Sequence, residues 1–183
     1  MTASITEQLE ANASANADAI WITSPDTGAT VSWAEAADRS RQIACQLDAL
    51  GLQPGASVAV AAPNSIWSTL CFTGITFGGY LATPLNLVAG ARVLSYVLDH
   101  SKASVILCAD DCRHLIDEAL AESDRPVTVI RIDATAGPQW PSDADVQREP
   151  KFRPEPNTPG LLMYTSGTTG RPKGVMLGHD NLM

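Results

Sequence analysis

Short apolar runs alternate with helical patterns between Val58 and Ile132, and that alternation constrains the chain most. "SVAVAAP" (Ser57–Pro63), "LATPLN" (from Leu81), "ASVILCA" (from Ala103) and "VTVIRI" (ending at Ile132) each have the length and apolar content of a buried strand. The segments between them fit helices. "NSIWSTLCFTGITFGGY" (Asn64–Tyr80) is apolar on nearly every side, as a helix sandwiched in a core would be. Val93, Leu94, Val97 and Leu98 mark one face of the next helix, which ends near Ser101, and "DDCRHLIDEALAE" supplies a third. Parallel strands need such crossovers, because a tight turn can join only antiparallel ones. The alternation therefore predicts an α/β fold with a mostly parallel sheet flanked by helices.

The residues before Val58 add further cover. Ser4 to about Ala15 fits a short amphipathic helix with Ile5, Leu9 and Ala13 on one face. "AIWITSPDTGATVSW" reads as two short strands around an Asp26-Thr27-Gly28 turn. Ser32 and Glu35 have capping-box spacing, and Ile43, Leu47 and Leu50 share the helical face that follows. Gly51 sits where that helix should end, and Pro54 blocks its continuation. Past Ile132 the composition changes. Six of the 12 prolines lie between Asp133 and Gly160. We read residues 1–132 as an N-terminal α/β subdomain and 133–160 as a Pro-rich surface connection. Residues 161–183 are then a strand–loop–strand segment that starts a second subdomain.

Several function classes are disfavoured. A net charge of -8 argues against nucleic acid as a partner, since phosphate-backbone binders carry a basic face. No apolar run reaches the ~18 residues of a spanning helix, and "MTASITEQLE" lacks the basic start of a secretory leader. The expected location is the cytoplasm, with Cys45, Cys71, Cys108 and Cys112 as reduced, buried thiols. His100, His114 and His179 are scattered and suggest no paired base. Asp110 and Asp111 precede a helix and are expected to cap it. His179 and Asp180 are expected to cap another helix start. Trp21, Trp33, Trp67 and Trp140 read as packing residues, with no basic neighbours to make them stacking platforms.

The most chemically loaded stretch is "TSGTTGRPKG", Thr165–Gly174. Its glycines let the backbone approach a ligand closely. Thr165, Ser166, Thr168 and Thr169 offer hydroxyls, and successive backbone N–H groups in such a loop can form an anion-binding nest. Arg171 and Lys173 supply local positive charge, and the compact ammonium of Lys173 suits a phosphate oxygen. This is not a Walker A loop, because Pro172 precedes the lysine and Gly174 follows it where Ser or Thr belongs. The G-x-G-x-x-G dinucleotide fingerprint is absent as well. "VML" after the loop reads as a strand rather than a helix.

Thr165 through Gly174 resemble the signature of the adenylate-forming (AMP-binding) ligases, whose pattern runs small-hydroxyl, Ser, Gly, Thr, Thr, Gly, any, Pro, Lys, Gly. Other stretches match in order. "SWAEAADRSRQIACQLDALGLQPGASVAVAAPNS", "GGYLATPLN" and "VMLGHDNLM" resemble the family's N-terminal helix and strand, its Pro-Leu-Asn step, and the elements after its signature.

The resemblance implies an acyl-CoA-synthetase-like ligase that joins a carboxylic acid to ATP, releases pyrophosphate, and passes the acyl group to a thiol, with coenzyme A as the default acceptor and a carrier-protein phosphopantetheine as the alternative. It implies that Thr165, Ser166, Thr168 and Thr169 donate to the β- and γ-phosphates, that Gly167 and Gly170 permit close approach, and that Lys173 neutralises charge. It implies Mg2+, with its ligand beyond residue 183, and assigns no catalytic or metal-binding residue to this chain. Fatty acid metabolism is the expected setting, and the chain is expected to be an N-terminal portion that is inactive alone. Uncovered apolar faces would then favour a homodimer. A short nucleotide-binding or interaction module, or one chain of a split enzyme, are the alternatives.

Overall fold

The computed structural model describes residues 3–123, 125–141, 149–165 and 171–183. Helix α1 (Ile5–Ala15) comes first, followed by the hairpin β1 (Ile20–Thr23) and β2 (Thr30–Ser32). Helix α2 (Trp33–Ala49) leads to β3 (Ser57–Ala61), α3 (Ile66–Phe77), β4 (Leu81–Pro84), α4 (Ala91–Ser101) and β5 (Val105–Ala109). A 3-10 turn and α5 (Arg113–Ala121) lead to β6 (Thr128–Asp133) and β7 (Gly137–Pro138). The last elements are β8 (Pro159–Thr165), β9 (Lys173–Gly178) and the single turn α6 (His179–Leu182).

The helix starts are written in the sequence. Ser4–Glu7 and Ser32–Glu35 form reciprocal capping boxes, each satisfying two backbone donors at the first turn. Ser65 and Ser68 close α3 in the same way. Gly51, at φ 82°, takes the left-handed conformation that ends α2.

β1 and β2 form a small separate sheet. The main sheet has seven strands in the order β7-β6-β5-β3-β4-β8-β9. β6, β5, β3, β4 and β8 run parallel. β7 and β9 close the two edges antiparallel. This is the mostly parallel, helix-flanked sheet expected. β8 and β9 pair onto it beside β4, so residues 159–165 and 173–178 continue the sheet that β3–β7 build.

Strand periodicity sorts the core into two layers. Val58, Val60, Val105 and Leu107 face one way and pack with Ile43, Leu47, Leu70 and Ile75 of α2 and α3. Ala59, Ala61, Ile106 and Cys108 face the other way and pack with Leu94, Val97, Leu98 and Ile116 of α4 and α5. The small residues on β3 admit the second helix layer closely. The two helices of the first layer also lie close, since a Cβ on Gly74 would fall 2.5 Å from Ile43 Cβ.

Two local expectations need correction. Asp110 makes no cap hydrogen bond. Its carboxylate instead receives Arg131 Nε at 2.7 Å and Nη2 at 2.6 Å. Arg131 arrives one strand away in β6, and a bidentate guanidinium outcompetes a helix end for a carboxylate. Trp67 does have a basic neighbour: the Arg39 guanidinium lies 4.9 Å from its ring centre. Its indole N–H donates to the Thr135 carbonyl, which ties the turn before β7 to α3. Trp21 and Trp33 pack against each other, as expected of packing residues.

A buried carboxylate anchors the segment that leads to β8. Asp48, at the end of α2, accepts from Tyr80 Oη at 2.5 Å and from the Lys151 amide at 2.8 Å. Tyr80 is fully buried, and burial, followed by the Asp48 bond, raises its phenol pKa far above the ordinary value. Phe152 beside it packs against Gly79, which at φ 70° has no room for a Cβ. Tyr80→Phe leaves Asp48 Oδ1 without this donor. The expected loss is about 1–3 kcal/mol of stability, read from the denaturant midpoint. A shift below about 0.5 kcal/mol would show that this pairing is dispensable.

Candidate functional site

The described flanks of the candidate loop, Thr165 and Lys173, lie where topology gathers the ends of the parallel strands. β8 runs beside and parallel to β4 with Leu161 opposite Ala82, so Thr165 emerges at the same end of the sheet as Pro84, Ala61 and Ala109. β9 returns antiparallel, and its final pair places Lys173 opposite Thr165. Both residues are exposed. Ser166, Gly167, Thr168, Thr169 and Gly170 lie outside the described residues. The structure thus brings two of the seven expected site residues, Thr165 and Lys173, together as cross-strand partners at the mouth of the loop. Among the described residues, no carboxylate lies within ion-pair distance of Lys173 or Arg171. Their charge is available to an anion despite the acidic balance of the chain.

Beside the loop is a cavity of about 420 Å³. Its walls include Pro84 and Asn86 after β4, Val93 and Val97 of α4, and Thr165 and Arg171. Its lining is mostly apolar, with a cation and a hydroxyl at the loop side. The Arg171 guanidinium sits 5.7 Å from the ring centre of Tyr96. Gly174 has a packing role: a Cβ there would meet Leu162 Cδ1 at 3.1 Å and the Tyr164 ring at 3.5 Å.

Sequence reasoning missed the side chains that flank this loop. His100, scattered in sequence from the other histidines, has its Nδ1 2.7 Å from Tyr164 Oη in a hydrogen bond. Burial, then Tyr96, raises the pKa of the Tyr164 phenol. The available signal was the i, i+4 spacing of Tyr96 and His100 on one helix face. Nothing local to α4 announces that β8 will lie against that face.

The thiols fit a structural role. Burial pushes Cys71 up to about 12 and Cys108 to about 11, so both stay protonated at neutral pH. Among the described residues, no three His, Cys, Asp or Glu side chains gather to hold a metal ion. No described helix is long and apolar enough to cross a membrane.

His179 differs from its expected capping role. Gly178 is the N-cap of α6, and its amide donates to Asn181 Oδ1 at 3.0 Å. The amides of His179 and Asp180 donate to Thr158 and Pro156 carbonyls. The His179 imidazole is fully buried, and its Nδ1 accepts from the Ile5 amide at the start of α1, at 3.1 Å. Gly160 makes room for the ring, since a Cβ there would come within 3.0 Å of it. A helix-start amide 174 residues away wins this side chain because that donor has no partner within its own helix.

Burial holds the His179 pKa below its ordinary value, with Asp180 opposing. On acidification the unfolded chain therefore takes up this proton first. The stability contributed by His179 is complete above pH about 6.5. It is lost as pH falls through the lower value of the folded state. His179→Asn is expected to flatten this part of the pH dependence, read from urea midpoints between about pH 7.5 and 5. Parallel curves for the two proteins would contradict this role.

Comparison with known proteins agrees with this geometry. The AMP-binding enzyme family matches residues 9–183. Sulfoacetate–CoA ligase of Cupriavidus necator is 36% identical over 168 residues, which cover 91% of this chain and 33% of that protein. Long-chain-fatty-acid–CoA ligase FadD13 of Mycobacterium tuberculosis is 32% identical over 161 residues, covering 86% of this chain and 31% of that protein. The chain spans about a third of the length of these curated relatives. The inhibitor-bound N-terminal domain of FACL13 from M. tuberculosis superposes with a TM-score of 0.83 at 28% identity, covering 97% of this chain and 44% of that one. ATP-bound MatB from Rhodopseudomonas palustris superposes with a TM-score of 0.81 at 25% identity, covering 100% of this chain and 36% of that one.

Proposed function

This chain belongs to the family of AMP-binding enzymes, and from that premise we propose that it is the N-terminal portion of an ATP-dependent carboxylate–thiol ligase. The single observation that carries the reading is Thr165 paired with Lys173 at the C-terminal end of a parallel sheet, on the flanks of the signature loop. In the proposed reaction a carboxylate oxygen attacks the α-phosphorus of ATP. The bond to the bridging oxygen breaks, and pyrophosphate leaves. A thiol sulfur then attacks the acyl carbon, and AMP leaves. Pyrophosphate carries the charge that this chain's residues meet. Lys173 neutralises part of it, and Thr165, with the proposed donors Ser166, Thr168 and Thr169, hydrogen-bonds to it beside Gly167 and Gly170.

Coenzyme A as the acceptor is supported by the two ligases named above, each of which carries CoA in its name. A fatty acid as the carboxylate is supported by the likeness to FadD13. Magnesium would accompany ATP, and the described residues offer it no ligand cluster. Cys71, Cys108 and Cys112 are buried and outside any disulfide, which fits a reducing compartment, and we place the protein in the cytoplasm on that ground. Residues 133–160 are proposed as the passage between the part built by residues 1–132 and the strand–loop–strand of 161–183. Self-association is supported by Met163, Val175 and Met176, all exposed along β8 and β9 at the sheet edge. The isolated chain is expected to scatter light as a dimer, and a monomer at high concentration would count against that.

Lys173→Ala tests the central role. In the ligase that contains this chain, loss of a charge-assisted contact of about 1.5–3 kcal/mol should lower ATP–pyrophosphate exchange roughly ten- to hundred-fold. Exchange at the wild-type rate would remove Lys173 from the site.

A further inference from the structure

We propose that Tyr96 and His100 are positioning residues that brace both flanks of the loop between β8 and β9. The importance of the brace to function rests on the phosphate-binding reading given above; its existence as a brace does not.

The geometry is a chain of four side chains. Arg171, the first described residue after the loop, places its guanidinium 5.7 Å from the Tyr96 ring centre. Tyr96 and His100 lie one turn apart on α4, with ring centres 5.6 Å apart and planes tilted by 36°. His100 meets Tyr164 edge-on, at 5.7 Å and 86°, and hydrogen-bonds to its hydroxyl at 2.7 Å. Tyr164 is the penultimate residue of β8, and its ring lies across Gly174 on β9. One helix face therefore holds the end of the strand that enters the loop and the residue that leaves it.

The ladder explains why a brace is needed. β8 is fixed to β4 through the Ala82–Leu161 pairing, well before its C-terminal end. From there to Thr165, its other neighbour is β9, which is itself an edge strand. A two-stranded extension beyond the body of a sheet is marginally stable unless another element packs against it. Tyr164 and Arg171 pack the loop end of this extension against α4. Lys173 follows Arg171 by two residues and pairs with Thr165, so a swing of this extension would carry both expected phosphate ligands with it.

The bond between His100 and Tyr164 can be tested apart from general packing. Asn at position 100 places an amide near the position of Nδ1 and can keep the hydrogen bond, whereas Leu cannot. Hydrogen–deuterium exchange over residues 171–178 reads the brace directly, with thermal midpoints as a control for global stability. His100→Leu and Tyr164→Phe should each speed this exchange by about five-fold, the size of one net hydrogen bond. The double variant should be no faster than either single one, because both remove the same bond. His100→Asn should stay near the wild-type rate. Wild-type exchange in His100→Leu, or His100→Asn as fast as His100→Leu, would overturn the brace. Binding of inorganic tripolyphosphate to the same proteins separates the two readings. If the exchange pattern holds and His100→Leu weakens binding about five-fold, both stand. If the exchange pattern holds and the wild-type chain binds no tripolyphosphate, the brace stands and the phosphate reading fails.

Discussion

Five strands of the main sheet run in one direction, and so their C-terminal ends, and the loops that leave them, collect along one edge. The central strand β3 is buried along its whole length, covered by α2 and α3 on one side and α4 and α5 on the other. Its neighbours are fixed by the crossovers that parallel pairing demands. Everything at the candidate site inherits its position from this arrangement. Pro84 and Asn86 are there because β4 ends there. Thr165 is there because β8 pairs parallel to β4, and Lys173 because β9 must return antiparallel at the edge.

Electrostatics then divides the molecule. The chain carries a net charge of -8, and among the described residues four arginines are engaged in ion pairs. Arg131 holds Asp110 and Asp133, Arg113 holds Asp117, and Arg41 and Arg153 both reach Glu10. Arg171 and Lys173 stand apart from these pairs and sit together at the loop. A local cationic spot on an acidic surface is suited to a small polyanion and poorly suited to a long one, because repulsion from the surroundings grows with the length of the ligand. This agrees with membership in a family of AMP-binding enzymes.

The elements were legible in the sequence because their signals are local. Ser32 and Glu35 announce a helix start three residues apart, and the apolar run at Ser57–Ala61 announces a buried strand wherever that strand pairs. The order of the strands was not legible, since nothing in "GLLMYT" specifies β4 as its neighbour. The errors share that cause. Asp110 looked like a cap until β6 brought Arg131 beside it. His179 looked like a cap until the fold delivered the free amide of Ile5. At the site, Thr165 and Lys173 could be named from the signature, but the braces Tyr96, His100 and Tyr164 could not. Their partnership exists only once α4 and β8 have packed.

The most direct test of phosphate binding at this loop is an amide NMR titration of the chain with inorganic pyrophosphate. Shifts are expected to concentrate on the backbone amides of residues 165–174, with smaller changes at Tyr96 and His100 on α4. Shifts centred elsewhere, such as the pocket bordered by Asn64, Ser68 and Thr69, or no saturable shift at all, would contradict it.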